Sequence, residues 1–241
     1  MQGEASAELS CPQVACPACG APVPLASAAL PYAVCGHCQT LILRAKDSDG
    51  GDDLKAIGKS AVLPFDVSPV QIGTRGTADN QRFEVIGRVR WGWVDGSWNE
   101  WLLQVGAGTA WLGEAMGLYV LLAEAPELLE TPLGREFASG GAIPLGATLD
   151  AAGVHFTATD IKQAHSLGGE GQLPFPCPAD WTMTNVDFRS EAGGALSLQR
   201  DGDGVSAWLG RYVTLDELKP VGLRKIVGWH MPDALAATGI S

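Results

Sequence analysis

The chain has 241 residues, 46% hydrophobic and 18% charged, with a formal net charge of −11. That length and balance support a packed core and exclude a disordered polymer. The missing Lys/Arg excess argues against a nucleic-acid partner, because neutralising phosphates drives such binding. No run approaches the roughly 20 apolar residues that span a bilayer, so integral membrane insertion is not expected. The opening MQGEASAELS lacks the basic and apolar regions of a signal peptide, which makes the cytoplasm the expected location. A load of 31 glycines and 15 prolines favours short strands and many turns over helices.

The first predicted element is a zinc ribbon over residues 1–44. Cys16 and Cys19 stand in CPACG, Cys35 and Cys38 in CGHC, and the residues from Gly20 to Val34 separate the two pairs. Two residues between paired cysteines let one tight turn present both sulfurs to one ion, and four thiolates suit a tetrahedral, structural Zn²⁺. Gly20 and Gly36 are expected to give the knuckles their conformational freedom. A redox CxxC would sit beside a βαβ pattern, which is absent, and a closed thiolate set offers no position for chemistry. His37 is expected to face solvent and Cys11 to be a bystander.

Residues 45–60 are polar, acidic and Gly-rich and read as a linker, so the main domain is expected to begin near Ala61. Phe83, Val85, Gly87, Val89, Trp91 and Trp93 then alternate with Glu84, Ile86, Arg88, Arg90 and Gly92, the period of a strand. Asp95-Gly96 marks a hairpin turn. Strands are expected again around Trp101 to Val105, Ala110 to Leu112 and Gly117 to Leu122, giving an antiparallel meander. Ile72-Gly73 with Phe83 ten residues on is echoed by Leu145-Gly146 with Phe156, and Ala110-Trp111-Leu112-Gly113 by Ala207-Trp208-Leu209-Gly210. These echoes predict two related β-units, over 61–131 and 132–241, the second with an insertion around 165–185. Short helical turns are expected at Ala123–Glu130, at Thr214 with Glu217, and at 232–238.

Five of the eight tryptophans, Trp91, Trp93, Trp98, Trp101 and Trp111, fall in the first meander. Core filling accounts for the four that alternation turns inward, leaving Trp98, beside the turn, as the expected exposed ring. With Asn99, Glu100 and Glu114 it forms the candidate ligand or partner surface. Paired carboxylates can do acid–base work, but no nucleophile or fixed-spacing histidine accompanies them. His155, His165, Cys177 and His230 are scattered, and the common phosphate, dinucleotide, hydrolase and metalloprotease motifs are absent. No catalytic residue is expected. The basic-aromatic stretch from Leu223 to Trp229 reads as a short terminal strand, or as a place for peripheral membrane contact.

The ribbon CPACGAPV…CGHCQTLILR, then SPVQIGTRGTADNQRFEVIGRVRW, GSWNEWLLQV and AWLGEAMG, together resemble the bacterial family called domain of unknown function 4178, with GGEGQLPFP and AWLGRYVTLDEL resembling its second copy. The resemblance implies an accessory component of bacterial gene clusters that also encode polyamine-synthesis enzymes, small membrane proteins and phage-shock-type proteins. It carries over no catalytic residue.

The expected fold is therefore mainly β: an N-terminal Cys₄ zinc ribbon and an antiparallel β-barrel or sandwich with two related halves. The expected function is a non-catalytic binding or adaptor protein of a bacterial accessory system, in envelope stress or in polyamine or peptide modification. Its expected partners are a protein and a polycationic small ligand. The alternative is a polyamine- or peptide-modifying enzyme with a carboxylate-containing pocket, drawing polycations by its acidic field.

Overall fold

A computed structural model describes residues 12–46, 50–65, 67–228 and 235. Cys11, Trp229 and His230 lie outside the described residues, as does all but Leu235 of the helical turn expected at 232–238. The ribbon is built from β1 (Gln13–Ala15), β2 (Pro22–Pro24), β3 (Tyr32–Val34) and β4 (Thr40–Lys46) around a small core of Val23, Leu25, Ala33 and Ile42.

Residues 52–59, read as linker, form β5 (Asp52–Lys59), which pairs antiparallel with β4. The polar composition that suggested a linker is that of a solvated strand: Asp52 accepts from Arg44 at 2.8 Å and Lys46 at 2.8 Å. The ribbon does not hang free. Strand β3 pairs with Gly171–Leu173 of the strand β12 (Val154–Leu173), and the Gln172 amide closes two hydrogen bonds, of 2.7 and 2.8 Å, with the backbone of Ser27.

The main body consists of β6 (Arg75–Ala78), β7 (Gln81–Trp93), β8 (Gly96–Val105), β9 (Gly108–Ala115) and β10 (Leu118–Glu124), followed by β11 (Thr148–Ala151), β12, β13 (Thr182–Arg189), β14 (Gly194–Asp201) and β15 (Val205–Val213). Each five-strand set is an antiparallel meander, as the period-two pattern predicts. The sets join twice, β10 to β15 and β12 to β7, both antiparallel. Eight strands thus form a closed ring in the order β7-β8-β9-β10-β15-β14-β13-β12, which removes the exposed edges that a sheet of this size would carry.

The two halves repeat in detail. Gly73 and Gly146 both take positive φ, 86° and 83°, and their N–H groups donate to the carbonyls of Val85 and Ala158 at 2.8 Å each. Both long strands then bulge, between Val85 and Gly87 and between Ala158 and Asp160. The echo of Ala110–Gly113 in Ala207–Gly210 is a coincidence of composition, however. The first lies on β9, the fourth strand of its set, and the second on β15, the fifth. The insertion is the extra length of β12 with the loop from Pro174 to Trp181.

Apolar layers cover the outside of the ring. Phe83, Trp101, Leu103, Leu112 and Leu121 pack under Leu215, Leu218 and Leu223, while Phe156, Phe188, Leu196 and Leu198 pack under Leu128 and Phe137. Leu128 belongs to a 3₁₀ turn (Pro126–Glu130) and Phe137 to α1 (Pro132–Ala138). Thr131, whose hydroxyl accepts from Gly134 N–H at 3.1 Å, and Pro132 at the first helical position start α1. Thr214 and Glu217 make the expected capping contact, Glu217 accepting from Thr214 N–H at 2.6 Å, but on a turn. Leu223 is buried and Arg224 donates to the Ser68 carbonyl at 2.7 Å, so the start of the basic-aromatic stretch is packed against the ring. Among the described residues no helix is long and apolar enough to cross a membrane.

Candidate functional site

Two places concentrate chemistry. In the ribbon, the Sγ atoms of Cys16, Cys19, Cys35 and Cys38 all lie within 4.8 Å of one another. The Cys16–Cys38 and Cys19–Cys35 separations are both 3.8 Å, which matches the edge of about 3.8 Å in a tetrahedron with 2.3 Å metal–sulfur bonds. The two knuckles are built alike. Gly20 N–H donates to the Cys16 carbonyl at 2.8 Å, and Gln39 N–H to the Cys35 carbonyl at 2.9 Å.

The left-handed residues are Gly20, at φ 75°, and Gln39, at φ 56°. Gly36, expected to need such freedom, does not adopt it. Hydrogen bonds from Thr40, side chain first and then backbone, lower the Cys38 thiol to about 6, while Cys19, despite a backbone hydrogen bond from Ala21, is pushed up to about 12 by Cys38, burial and the other two thiols, so the four titrate as one set. Lys59 donates to the Cys38 carbonyl at 2.6 Å and places a positive charge beside the set. His37 is exposed. The four cysteines fit a metal ion.

The second place is the interior of the ring, a cavity of about 370 Å³. Its walls follow from alternation. Trp98 and Glu100 of β8, Trp111 of β9, Lys162 of β12, Asn185 and Asp187 of β13, Ser197 and Gln199 of β14 and Trp208 of β15 all line it. Gln199 donates to Glu100 Oε1 at 3.1 Å, although three strands lie between β14 and β8 in the ring, so the bond crosses the lumen. Glu100 also accepts from Trp91 Nε1 at 2.9 Å and Trp98 Nε1 at 3.0 Å. The rings form a continuous belt. Trp91 lies 6.2 Å from Trp98 and 4.6 Å from Trp181, Phe175 lies 5.0 Å from Trp181, and Phe175 stacks on Trp111 at 5.7 Å. Phe175 and Trp181 come from the insertion and fill the interior.

Burial raises the Glu100 and Asp187 carboxyls above their ordinary values. At Glu100 the three hydrogen bonds oppose this and the charge of Asp187 adds to it; at Asp187 the opposing groups are Asn185, Ser197, Lys162 and Arg189. Lys162, itself lowered by burial, pairs with Asp160 and lies 5.1 Å over the Trp93 ring. The cavity opens beside Met116 and Leu118, which are 90% and 55% exposed.

Alternation divides the candidate surface predicted from the sequence. Trp98 is half-buried and points into the lumen with Glu100, whereas Asn99 and Glu114 turn their side chains outward and are buried. Glu114 Oε2 accepts from Ser68 at 2.6 Å, Trp101 Nε1 at 2.8 Å and Asn99 at 3.2 Å, and Asn99 Oδ1 accepts from Arg88 at 2.7 Å. Trp101, expected inside, belongs to this outer layer, with Arg88 4.5 Å above its ring. Strand β8 alternates without a break, so Trp101 takes the face opposite Trp98 and Glu100. His155 is exposed and bonds Asp150 at 2.8 Å, far from the role of a pocket group, and Cys177 is buried against Ser166. Asp187, Lys162, Gln199, Trp208, Phe175 and Trp181 were not singled out by sequence as site residues. Their signal is the polar alternation Asn185, Asp187, Arg189 against apolar Val186 and Phe188.

Fold and site define a closed eight-stranded antiparallel barrel with a polar, tryptophan-lined lumen and a cysteine ribbon paired to its flank. The family model described as domain of unknown function 4178 matches residues 71–215, so the chain belongs to that family. The match spans the ring from the turn before β6 to the turn after β15 and leaves out the ribbon. No curated protein and no solved structure matches the chain.

Proposed function

We propose that this protein is a non-catalytic binding protein that holds a small molecule in the barrel lumen, with a structural Zn²⁺ fixing the ribbon as a docking module for a protein partner. The observation that carries this reading is the cavity of about 370 Å³ crossed by the Gln199–Glu100 bond. Its size suits a ligand of ordinary metabolite dimensions, and its mix of aromatic walls with a few fixed polar groups is that of a binding pocket. Four free cysteines paired for metal suit a reducing compartment, which supports a cytoplasmic place in a bacterial accessory system.

An enzyme acting on amines or peptides is the second reading, favoured by the raised carboxyls of Glu100 and Asp187. Against it, the Glu114 carboxylate, although Glu114 borders the cavity, is taken up by Ser68, Trp101 and Asn99, and His155 is exposed and bonds Asp150.

The uncharged solvatochromic dye prodan tests the binding reading. Its emission should shift to the blue and the tryptophan emission should be quenched in the native protein. Both changes should disappear in Val120→Trp, which fills the lumen from β10. Equal dye binding by the native protein and the variant, or none by either, would refute it.

A further inference from the structure

Charges of both signs line the lumen, and they cancel in pairs. Lys162 pairs with Asp160 and sets its nitrogen 5.1 Å over the Trp93 ring. Arg189 stands 5.0 Å over the Tyr212 ring, and its charge and that of Lys162 both act on Asp187. Two cations thus answer two carboxylates, and each cation also rests on an aromatic face. A ligand with a net charge of either sign would meet groups of its own sign in the same cavity, where little water screens them.

Glu100 and Gln199 remain, and their hydrogen bonds can be counted. Glu100 Oε1 accepts from Trp98 and Gln199, and Oε2 from Trp91. A carboxylate has about four lone-pair sites, so Oε2 keeps one acceptor position. Gln199 gives one amide N–H to Glu100, accepts from Trp208 Nε1 at 3.1 Å with its oxygen, and has a second N–H. The two residues together offer one acceptor and one donor, side by side on a wall flanked by Trp98, Trp111 and Trp208. If Glu100 holds a proton, its carboxyl still accepts through one oxygen and gains an O–H to donate.

Resting on the lumen-binding reading above, we propose that the ligand is an uncharged, fused-ring aromatic lactam, its rings against Trp98, Trp111 and Trp208, its N–H donating to Glu100 and its carbonyl accepting from Gln199. A lactam carries one N–H beside one C=O, which is the complement of what this wall leaves open. Its flat ring matches the aromatic faces around it. A sugar could lie on the same faces, but its hydroxyls outnumber the one donor and one acceptor on offer.

Calorimetric titration of the full chain with 2-quinolone, 1-methyl-2-quinolone, quinoline-2-carboxylate and glucose tests this, with displacement of prodan as a second readout. 2-Quinolone should bind and displace the dye. Methylation removes the N–H and leaves Glu100 without its partner, so 1-methyl-2-quinolone should bind roughly tenfold more weakly or worse. The carboxylate and glucose should bind weakly or not at all. In Glu100→Met the two quinolones should bind alike while prodan still binds; a difference that persisted there would come from the bulk of the methyl group and not from the hydrogen bond. Suppose prodan occupies the native lumen and is excluded by Val120→Trp. If the methylated quinolone then binds the native protein as tightly as its parent, if Glu100→Met keeps the native difference, or if glucose or the carboxylate displaces the dye better than 2-quinolone, the lactam assignment is wrong and the lumen reading stands. If neither prodan nor 2-quinolone binds, both fall.

Discussion

Glu100 sits where two demands conflict: three N–H groups favour its charged form, and burial in the ring opposes it more strongly. A carboxyl raised in the folded state holds its proton more tightly than in the unfolded chain. Its contribution to stability is therefore fully present below the ordinary value of 4.5 and is lost as pH rises through the folded value. Asp187 acts in the same direction from 3.8. The urea midpoint of the native protein should consequently fall as pH rises above these ordinary values, and Glu100→Gln should make that fall shallower. An equal slope in the variant would show that Glu100 is not the group responsible. The sequence drew attention to Glu100 through the run Trp98-Asn99-Glu100-Trp101, yet it grouped residues that alternation puts on opposite faces. Asn99 and Glu114 belong to an outer network, and so does Trp101, because β8 alternates without a break and turns Trp98 and Glu100 inward, while the Val85/Gly87 bulge on β7 separates inward Trp91 from outward Phe83 and Val85. Asp187 was passed over because a polar–apolar alternation is ordinarily read as polar outside. Here Val186 and Phe188 pack outward under Leu128 and Phe137, and the polar set faces a lumen.

At the scale of elements, the ribbon was the most legible part because its chemistry is local: CxxC spacing alone determines that two sulfurs can meet one ion. What spacing leaves open is which residue of each knuckle takes the left-handed turn. It is Gly20 in the first and Gln39 in the second, so the two glycines next to cysteines differ in kind. Gly20→Ala should destabilise the ribbon by about 1 kcal/mol, whereas Gly36→Ala, with open space around its Cβ position, should stay within about 0.5 kcal/mol of the native protein. Metal analysis should find about one zinc per chain, lost when Cys16 and Cys35 are both changed to Ser. A folded native protein free of metal would refute the zinc assignment. The misread element beside it, β5, shows the complementary limit. An exposed strand held by Arg44, Lys46 and Asp52 has the composition of a linker, and only its partner β4 distinguishes the two.

At the scale of the whole molecule, two meanders become one lumen only because both seams close, and each seam closes at a glycine. On the β7–β12 seam a Cβ at Gly87 would stand 1.9 Å from the Gln172 carbonyl oxygen, and on the β10–β15 seam a Cβ at Gly210 would stand 1.8 Å from that of Leu121. Neither glycine has positive φ, so the requirement is closeness of backbone and not conformation. No flexible side chain can yield at either point, and the strands themselves must part. Gly87→Ala and Gly210→Ala should each cost roughly 1–3 kcal/mol in urea unfolding, while Gly202→Ala, in an open turn, should be near neutral. The Gln199–Glu100 bond spans the ring between these seams, so opening either one separates groups that must face each other across the lumen. Prodan binding should therefore weaken in both seam variants even where they remain folded. Full dye binding in a destabilised but folded Gly210→Ala would mean that the pocket belongs to one meander alone and does not need the closed ring.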